Sequence, residues 1–438
     1  MTKIEFIQSY LKQLYDQRLR HDVVTDKLQV YEDDIWRELT KKDINTMVCE
    51  CATLSETNIT DREVRCVLNS DSVPSVHPLR EYILSLRPYD PNSPVDWIDW
   101  LAGQVHVSSS PQDGLTAQRS NSDSGPTGEA GPQTLWKKVF RKWFVAMVAS
   151  WMSDDVVNQH VLVLIGKQGI YKTTWLERLL PPELRGYGTK LSNLHDLDKD
   201  DRLRLAESAL INIDEIDALT DRELNQMKSV ITASDVNERA AYGYSKERRL
   251  RLASFCASGN KREFLTDTTG NRRWLPFEVE SIDSPFDNPT VPYKLIYAQA
   301  KWLLDNGFNY WFDTDDIRKL EPHTESFHRE TGEEQLLSVF YSPATLDDTN
   351  AVFRTTAEIS ATLTWRGNIR HPMSLAALGK LLVQAGFTSK RMAGGGPRGY
   401  IVLEKPHNLV ADQQVITNIR EQENCTAVPD VPDVPDVF

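Results

Sequence analysis

Apolar positions recur at helical spacing from the start of the chain, where Phe6, Tyr10, Leu11, Leu14 and Tyr15 share a face. Val23-Val24 and Leu28-Val30 flank Thr25-Asp26-Lys27, a pattern that predicts a hairpin. Further helices fit Lys42 to Cys51, Asp61 to Leu68 and Asp96 to Ala102. Residues 1–104 therefore read as a mainly helical N-terminal domain with a small β element. The pattern then breaks. Ser108-Ser109-Ser110-Pro111, Ser120-Asn121-Ser122 and Gly125-Pro126-Thr127-Gly128 cannot sustain a packed core, so residues 105–134 are expected to be a flexible linker.

Periodicity resumes with Trp136, Phe140, Trp143, Met147 and Trp151, whose spacing of three to four predicts a helix burying an aromatic stripe in the core. From 161 to 280, short β-like runs alternate with helical runs, as in an α/β domain. Residues 135–315 are expected to be that domain and 316–349 a helical connection, with the aromatics Phe308, Tyr310, Trp311 and Phe312 in its core. Over 350–406, helices fit Thr355 to Leu363 and Met373 to Ala385. Gly386 follows as a C-cap, and two β-like stretches surround Gly394-Gly395-Gly396-Pro397. Helix, helix, β-wing is the outline of a small winged-helix-like domain. The Val-Pro-Asp repeats within 407–438 predict a disordered tail.

Composition narrows the class. The 438 residues are 40% hydrophobic and 26% charged, ordinary globular values that suit more than one domain. A net charge of -13 argues against a protein coated in basic surface, though a motor can keep its basic groups inside a channel. The five cysteines are scattered, without a C-x-x-C pair or zinc-finger spacing, which suits a reduced cytoplasmic chain. The start lacks a signal-peptide apolar core, and no apolar run approaches the roughly 20 residues that span a bilayer. A soluble protein with no membrane partner is expected.

Candidate chemistry begins at Val161-Leu162-Val163-Leu164-Ile165, an all-apolar run suited to a strand buried on both faces. Gly166-Lys167-Gln168-Gly169-Ile170-Tyr171-Lys172-Thr173-Thr174 follows at once, then a helix to Leu180 stopped by Pro181-Pro182. Strand, Gly-containing loop, Lys-Thr, helix is the phosphate-binding P-loop arrangement. The loop N–H groups of Gly166, Gln168, Gly169, Ile170, Tyr171 and Thr174, with the helix N-terminus, would cradle the phosphates of ATP. Lys172 would reach the β- and γ-phosphates and Thr173 would ligate Mg²⁺. The usual glycine before the lysine is Tyr171 here, and Gly169 is an added glycine. If Tyr171 takes φ > 0, the strain is on the order of 1–2 kcal/mol. By itself the segment also fits an ordinary strand-turn-helix with an exposed lysine.

A second apolar run, Ala209-Leu210-Ile211-Asn212-Ile213, ends in Asp214-Glu215 about forty residues after Lys172. At the end of a neighbouring strand, Asp214 would hold hydrated Mg²⁺ and Glu215 would deprotonate the attacking water. Such acidic pairs also occur as helix N-caps. Arg251 to Asn260 fits a third core strand, with the Asn260 amide placed to sense the γ-phosphate. Arg272-Arg273, after Gly270, suits a finger offered to a neighbour's ATP, with one of the two arginines in a structural ion pair. Between Lys228 and Arg273 the local excess is five positive charges in an otherwise acidic chain. There Tyr244 to Arg249 fits a hairpin that either faces a central channel and tracks nucleic-acid phosphates or is simply solvated. The candidate nucleic-acid residues are Arg239, Tyr242, Lys246, Arg248 and Arg249.

Taken in order, Gly166 to Thr174, Ile213-Asp214-Glu215, Arg239-Ala240-Ala241-Tyr242-Gly243, Gly259-Asn260 and Thr269-Gly270-Asn271-Arg272-Arg273-Trp274 resemble the virulence-associated E family. These are superfamily 3 helicase-like AAA+ ATPases of phages and mobile elements. The resemblance covers residues 135 to 315 well. It extends more weakly to the N-terminal domain, which looks like the helical domain preceding the motor in phage primase-helicases. It implies an α/β fold, namely an AAA+ type P-loop NTPase core with three αβα layers. It implies nucleotide binding by Gly169, Lys172 and Thr173, and Mg²⁺ and water at Asp214 and Glu215. It also implies a sensor at Asn260 and an arginine finger at Arg272 or Arg273. It implies a homo-oligomeric ring, a hexamer being one form, because ATP in such rings lies between subunits. Relatives carry or accompany a primase. No primase-like metal cluster is visible here, which places any primase on a separate chain.

Two functions fit these residues. One is an ATP-driven motor acting on single-stranded DNA in replication of a phage or mobile element. The other is an ATP-dependent DNA-binding switch, an initiator or defence protein, gripping DNA through Lys390, Arg391 and Arg398 without unwinding it.

Overall fold

A computed structural model describes residues 2–55, 58–108, 131–191, 199–238, 247–265, 271–285, 290–329, 332–345, 348–367, 369, 372–391 and 398–405. It divides into two compact units, Met1–His328 and Arg329–Phe438.

The first unit opens with helices α1 (Lys3–Tyr15), α2 (Lys41–Leu54), α3 (Asp61–Leu68), α4 (Pro78–Ser85) and α5 (Trp97–Gly103). Threonines set the starts of the first three. Thr2, Thr40 and Thr60 each accept from the backbone N–H three residues on, and the carboxylate there returns the bond. Strands β1 (Leu19–Asp22), β2 (Lys27–Glu32), β3 (Ile35–Glu38) and β4 (Ser75–Val76) form a four-stranded sheet in the order β3-β2-β1-β4. Ile7, Val30, Met47, Val64 and Leu68 close a core of their own around it.

The central sheet runs β5 (Val105–Val107), β12 (Trp274–Ile282), β6 (Val161–Ile165), β11 (Ser254–Gly259), β8 (Leu210–Ile213) and β7 (Gly188–Leu191). All neighbours pair parallel except the edge strand β5, which is antiparallel to β12. Residues 105–107 were expected to open the linker and instead complete the sheet. Two apolar residues around His106 suffice for pairing, and a distant side chain seals the open edge. Gln133 accepts from Val107 N at 3.1 Å and donates to Val105 O at 2.9 Å. The rest of the expected linker, 109–130, lies outside the described residues, as do the tail from 406 on and the Gly394-Gly395-Gly396-Pro397 turn.

Alternation along β6 sends Leu162 and Leu164 to one apolar cluster and Val161, Val163 and Ile165 to another. The first cluster holds α6 (Pro132–Met152), α7 (Lys172–Glu177), α10 (Tyr293–Asp305) and α11 (Thr314–Glu325); the second holds α8 (Lys199–Glu207) and α9 (Asp221–Thr232). Helices thus cover both faces of a mostly parallel sheet. The aromatic stripe of α6 is core: Trp136, Phe140, Trp143 and Trp151 are fully buried. Trp136 meets Phe277 at 5.0 Å, and Trp151 stacks on Tyr297 at 5.6 Å. A separate two-stranded ribbon pairs β9 (Asp235–Glu238) with β10 (Glu247–Leu250).

In the second unit, α12 (Gly332–Phe340), α13 (Thr356–Gly367) and α14 (Leu375–Gln384) surround strands β13 (Tyr341–Pro343), β14 (Ala351–Thr355), β15 (Ser389–Arg391) and β16 (Arg398–Glu404). Every pair runs antiparallel to β16. Gly386 has φ +82°, the left-handed conformation that ends α14. Helix α12 lies in the stretch expected as a connection. Its Leu336, Leu337 and Phe340 join Ile359, Leu378 and Val402 in one core, so the unit starts before residue 350.

Candidate nucleotide site

Three parallel strands end side by side. In register, Ile165 of β6 lies opposite Gly259 of β11, and Ala257 of β11 opposite Ile213 of β8. The residues just beyond them, Gly166, Asn260 and Asp214, are therefore neighbours although far apart in sequence. The chain is tight here. Gly166 N donates to Gly259 O at 3.1 Å, and a Cβ on Gly166 would stand 2.5 Å from Val279 O. Gly166 is needed for that close approach.

Beyond β6 the loop turns through Gly169 at φ +86° and Tyr171 at φ +66°, ψ 18°. Tyr171 therefore takes the left-handed conformation usually left to glycine, and it stands as the N-cap of α7. Lys172 opens the helix and is buried. Its ammonium spends all three donors inside the site, on Gly166 O and Lys167 O at 2.7 Å each and on Asn260 Oδ1 at 3.3 Å. Burial lowers the pKa of the Lys172 ammonium from its ordinary value, and Asp217 and Asp214 oppose that shift.

Thr173 Oγ1 lies 3.3 Å from Asp214 Oδ1 and 3.1 Å from Ser258 Oγ. Ser258 Oγ also donates to Asp214 Oδ1 at 2.6 Å. Two hydroxyls and one carboxylate thus form a cluster of hard oxygens, a donor set that fits Mg²⁺. Among the described residues no cluster of three or more His, Cys, Asp or Glu could hold a metal. Glu215 follows at φ 53°, exposed at the head of a short 3₁₀ turn. Asp217 braces Asn260, accepting from Asn260 N at 3.0 Å and Lys261 N at 3.1 Å. Gly259 makes room for it, since a Cβ there would stand 2.7 Å from Asp217 Oδ1.

Lys172, Thr173, Asp214 and Asn260 are thus brought together as the sequence suggested, with Gly166, Gln168, Gly169, Ile170, Tyr171 and Thr174 in the same loop and helix start. Ser258 and Asp217 were not anticipated. Ser258 could have been found from period two, because it shares a strand face with Asn260. Asp217 carries no such signal, since its role depends on a turn.

Arg272 and Arg273 lie elsewhere. They precede β12, and Trp274 pairs with Val161 at the start of β6, so they stand at the opposite end of the sheet from Lys172. Arg273 is partly buried and its Nε has no partner. Burial, then Arg272, lowers the pKa of its guanidinium. Of the candidate nucleic-acid residues, Arg239, Tyr242, Lys246 and the side chain of Arg248 lie outside the described residues. Arg249 is held within the chain, by Glu207 at 2.5 Å and by Val24 O at 3.3 Å.

Fold and site together define a mixed α/β protein whose chemistry-bearing groups Lys172, Thr173, Asp214 and Asn260 gather at the C-terminal ends of parallel strands, where ligands of such sheets bind. Residues 129–329 match the family model of the virulence-associated protein E-like domain. Among solved structures, the apo form of the NrS-1 C terminal region is similar at TM-score 0.42 and 11% identity, covering 92% of this chain and 100% of that one. An A form of the same apo region is similar at TM-score 0.39 and 12% identity, covering 92% of this chain and 99% of that one. No curated protein matches the chain. No helix among the described residues is long and apolar enough to cross a membrane.

Proposed function

We propose that the chain is an ATPase with an AAA+ type P-loop core, a superfamily 3 helicase-like motor that acts on single-stranded DNA in replication of a phage or mobile element. The observation that carries this is the meeting of Lys172, Thr173, Asp214 and Asn260 at adjoining strand ends. Lys172 would exchange its bonds to the loop carbonyls for the β- and γ-phosphates. Thr173 and Asp214, steadied by Ser258, would hold Mg²⁺. Glu215 would take a proton from the attacking water, and Asn260, fixed by Asp217, would position that water. Mg²⁺, when bound, supplies neutralisation of phosphate charge.

Arg272 and Arg273 begin β12 at the far end of the sheet, roughly 15–20 Å from the loop by strand rise. They cannot reach their own loop, which supports a finger completing the site of the next subunit in a ring. Steady-state ATP hydrolysis with and without single-stranded DNA tests the proposal. Stimulation of wild type by DNA, with Lys172→Ala inactive, is the expected result; binding of ATP without turnover would remove the motor.

One observation favours the switch instead. Arg249, the described basic group of the ribbon, is spent on Glu207 and is not free for DNA as placed. An ATP-dependent initiator or regulator would then use the second unit, whose Lys390 and Arg391 are exposed. Loss of duplex binding on removing the whole second unit, Arg329–Phe438, with slow turnover throughout, would support it.

A further inference from the structure

Strand β8 reads Leu210-Ile211-Asn212-Ile213, and its one polar side chain is buried at 3% exposure. Neither Nδ2 nor Oδ1 of Asn212 has a hydrogen-bond partner. A buried primary amide without partners is costly, and native proteins keep few of them. Its lateral neighbours do not relieve it. In register Asn212 lies between Lys190 of β7 and Cys256 of β11. Cys256 offers only a weakly hydrogen-bonding thiol, and the Lys190 ammonium is committed to Glu177 at 2.5 Å.

Asn212 instead lines a cavity of about 400 Å³, together with Glu177, Leu180, Arg185, Gly188 and Lys190. Gly188 keeps it open, since it shares the Lys190 face and carries no side chain. The volume falls in the range of small-ligand pockets, roughly 300–1,000 Å³. The chemistry of the lining selects the occupant. A rigid amide offering donor and acceptor side by side matches the edge of a nucleobase, as asparagine matches adenine. Leu180 and Leu210 are apolar walls for a flat ring. Arg185 and Lys190 outweigh Glu177 at the exposed rim, which suits a phosphate.

We infer that this cavity is a second nucleotide site, which takes a nucleoside monophosphate with its base on the Asn212 amide and its phosphate against Arg185, beside the Lys190–Glu177 pair. It is distinct from the Lys172 loop and independent of the ATPase proposal. Asn212 precedes Asp214 by two residues on the same strand face, so occupancy would be felt directly beneath that carboxylate.

Calorimetric titration of the whole 438-residue chain carrying Lys172→Ala, with AMP, GMP, CMP and UMP in turn, tests the inference. One equivalent of at least one of them is expected to bind. Adding Asn212→Leu should weaken that binding at least about tenfold, the loss of one bidentate pair. Adding Arg185→Ala, an exposed substitution, should weaken it similarly and decides the matter if the leucine variant does not fold. Binding by wild type but not by Lys172→Ala would place the ligand in the loop and overturn the inference. So would no binding at all, or affinity unchanged by both added substitutions, the amide then being met by water alone.

Discussion

Ser258 Oγ donates to Asp214 Oδ1 at 2.6 Å while standing 3.1 Å from Thr173 Oγ1, so one serine links the two candidate Mg²⁺ ligands. Ser258→Ala should leave Asp214 free to turn away. ATPase activity is expected to fall roughly tenfold, with a higher Mg²⁺ requirement and near-normal nucleotide binding, as for loss of an outer-shell partner. Ser258→Thr should retain most of the activity. A Mg²⁺ titration of all three proteins reads the difference; an unchanged Mg²⁺ midpoint in the alanine variant removes the role given to Ser258.

Tyr171 sits at φ +66° with an exposed ring. Tyr171→Gly should be neutral to stabilising, because relief of about 1–2 kcal/mol of left-handed strain outweighs the added chain entropy of glycine. Tyr171→Val should destabilise by about 1–2 kcal/mol, since a β-branched residue fits this conformation worst. Urea unfolding of the two variants should therefore rank glycine above wild type and valine below it.

His160 stands at the start of β6, its ring 4.6 Å from Phe312. Burial, then Arg272 and Arg273, lowers its pKa from 6.5 to about 4. The unfolded chain therefore binds the proton more readily than the native one between these values. Stability conferred by the neutral ring is full above pH 6.5 and is lost as pH falls toward 4. The loss should be on the order of 2 kcal/mol, somewhat less than the full shift converts to, because the ring is not wholly enclosed. Unfolding at pH 7, 6 and 5 should show this slope in wild type and lose it in His160→Gln.

The separation of Arg272 and Arg273 from Lys172 makes a mixing experiment decisive for the proposed ring. Arg272→Ala/Arg273→Ala and Lys172→Ala proteins should each be inactive alone. Mixed in equal amounts, they should recover a measurable fraction of wild-type hydrolysis, because some interfaces then join an intact loop to an intact arginine pair. No recovery, in a mixture shown to co-assemble, would mean that the arginines act within their own subunit or not at all.

Much of this protein was legible from residue order alone, because the signals were local. The all-apolar run from Val161 to Ile165 could only be a strand buried on both faces. The stripe from Trp136 to Trp151 needed an apolar layer to cover it, while the positive φ of Tyr171, left conditional by the sequence, was decided by the structure. Pairing could not be read in this way. Val105 and Val107 carry too little apolar surface to announce a strand, and they become one only because Ile282 and Val279 need an edge partner and Gln133 closes the other side. Helix α12 joined the second unit through contacts with residues some sixty positions away, such as Val402. Within the candidate site, Ser258 and Asp217 acquire meaning only when parallel register sets strand ends beside one another. The free amide of Asn212 is visible only once its neighbours are known. Sequence determined the strongly periodic segments, such as the strand Val161–Ile165 and the helix that carries Trp136 to Trp151, since those follow from local periodicity and backbone preference. Tertiary structure alone decided which strand ends meet, which charge is spent on which partner and which polar group is left unsatisfied, since each depends on residues brought together by register rather than by order.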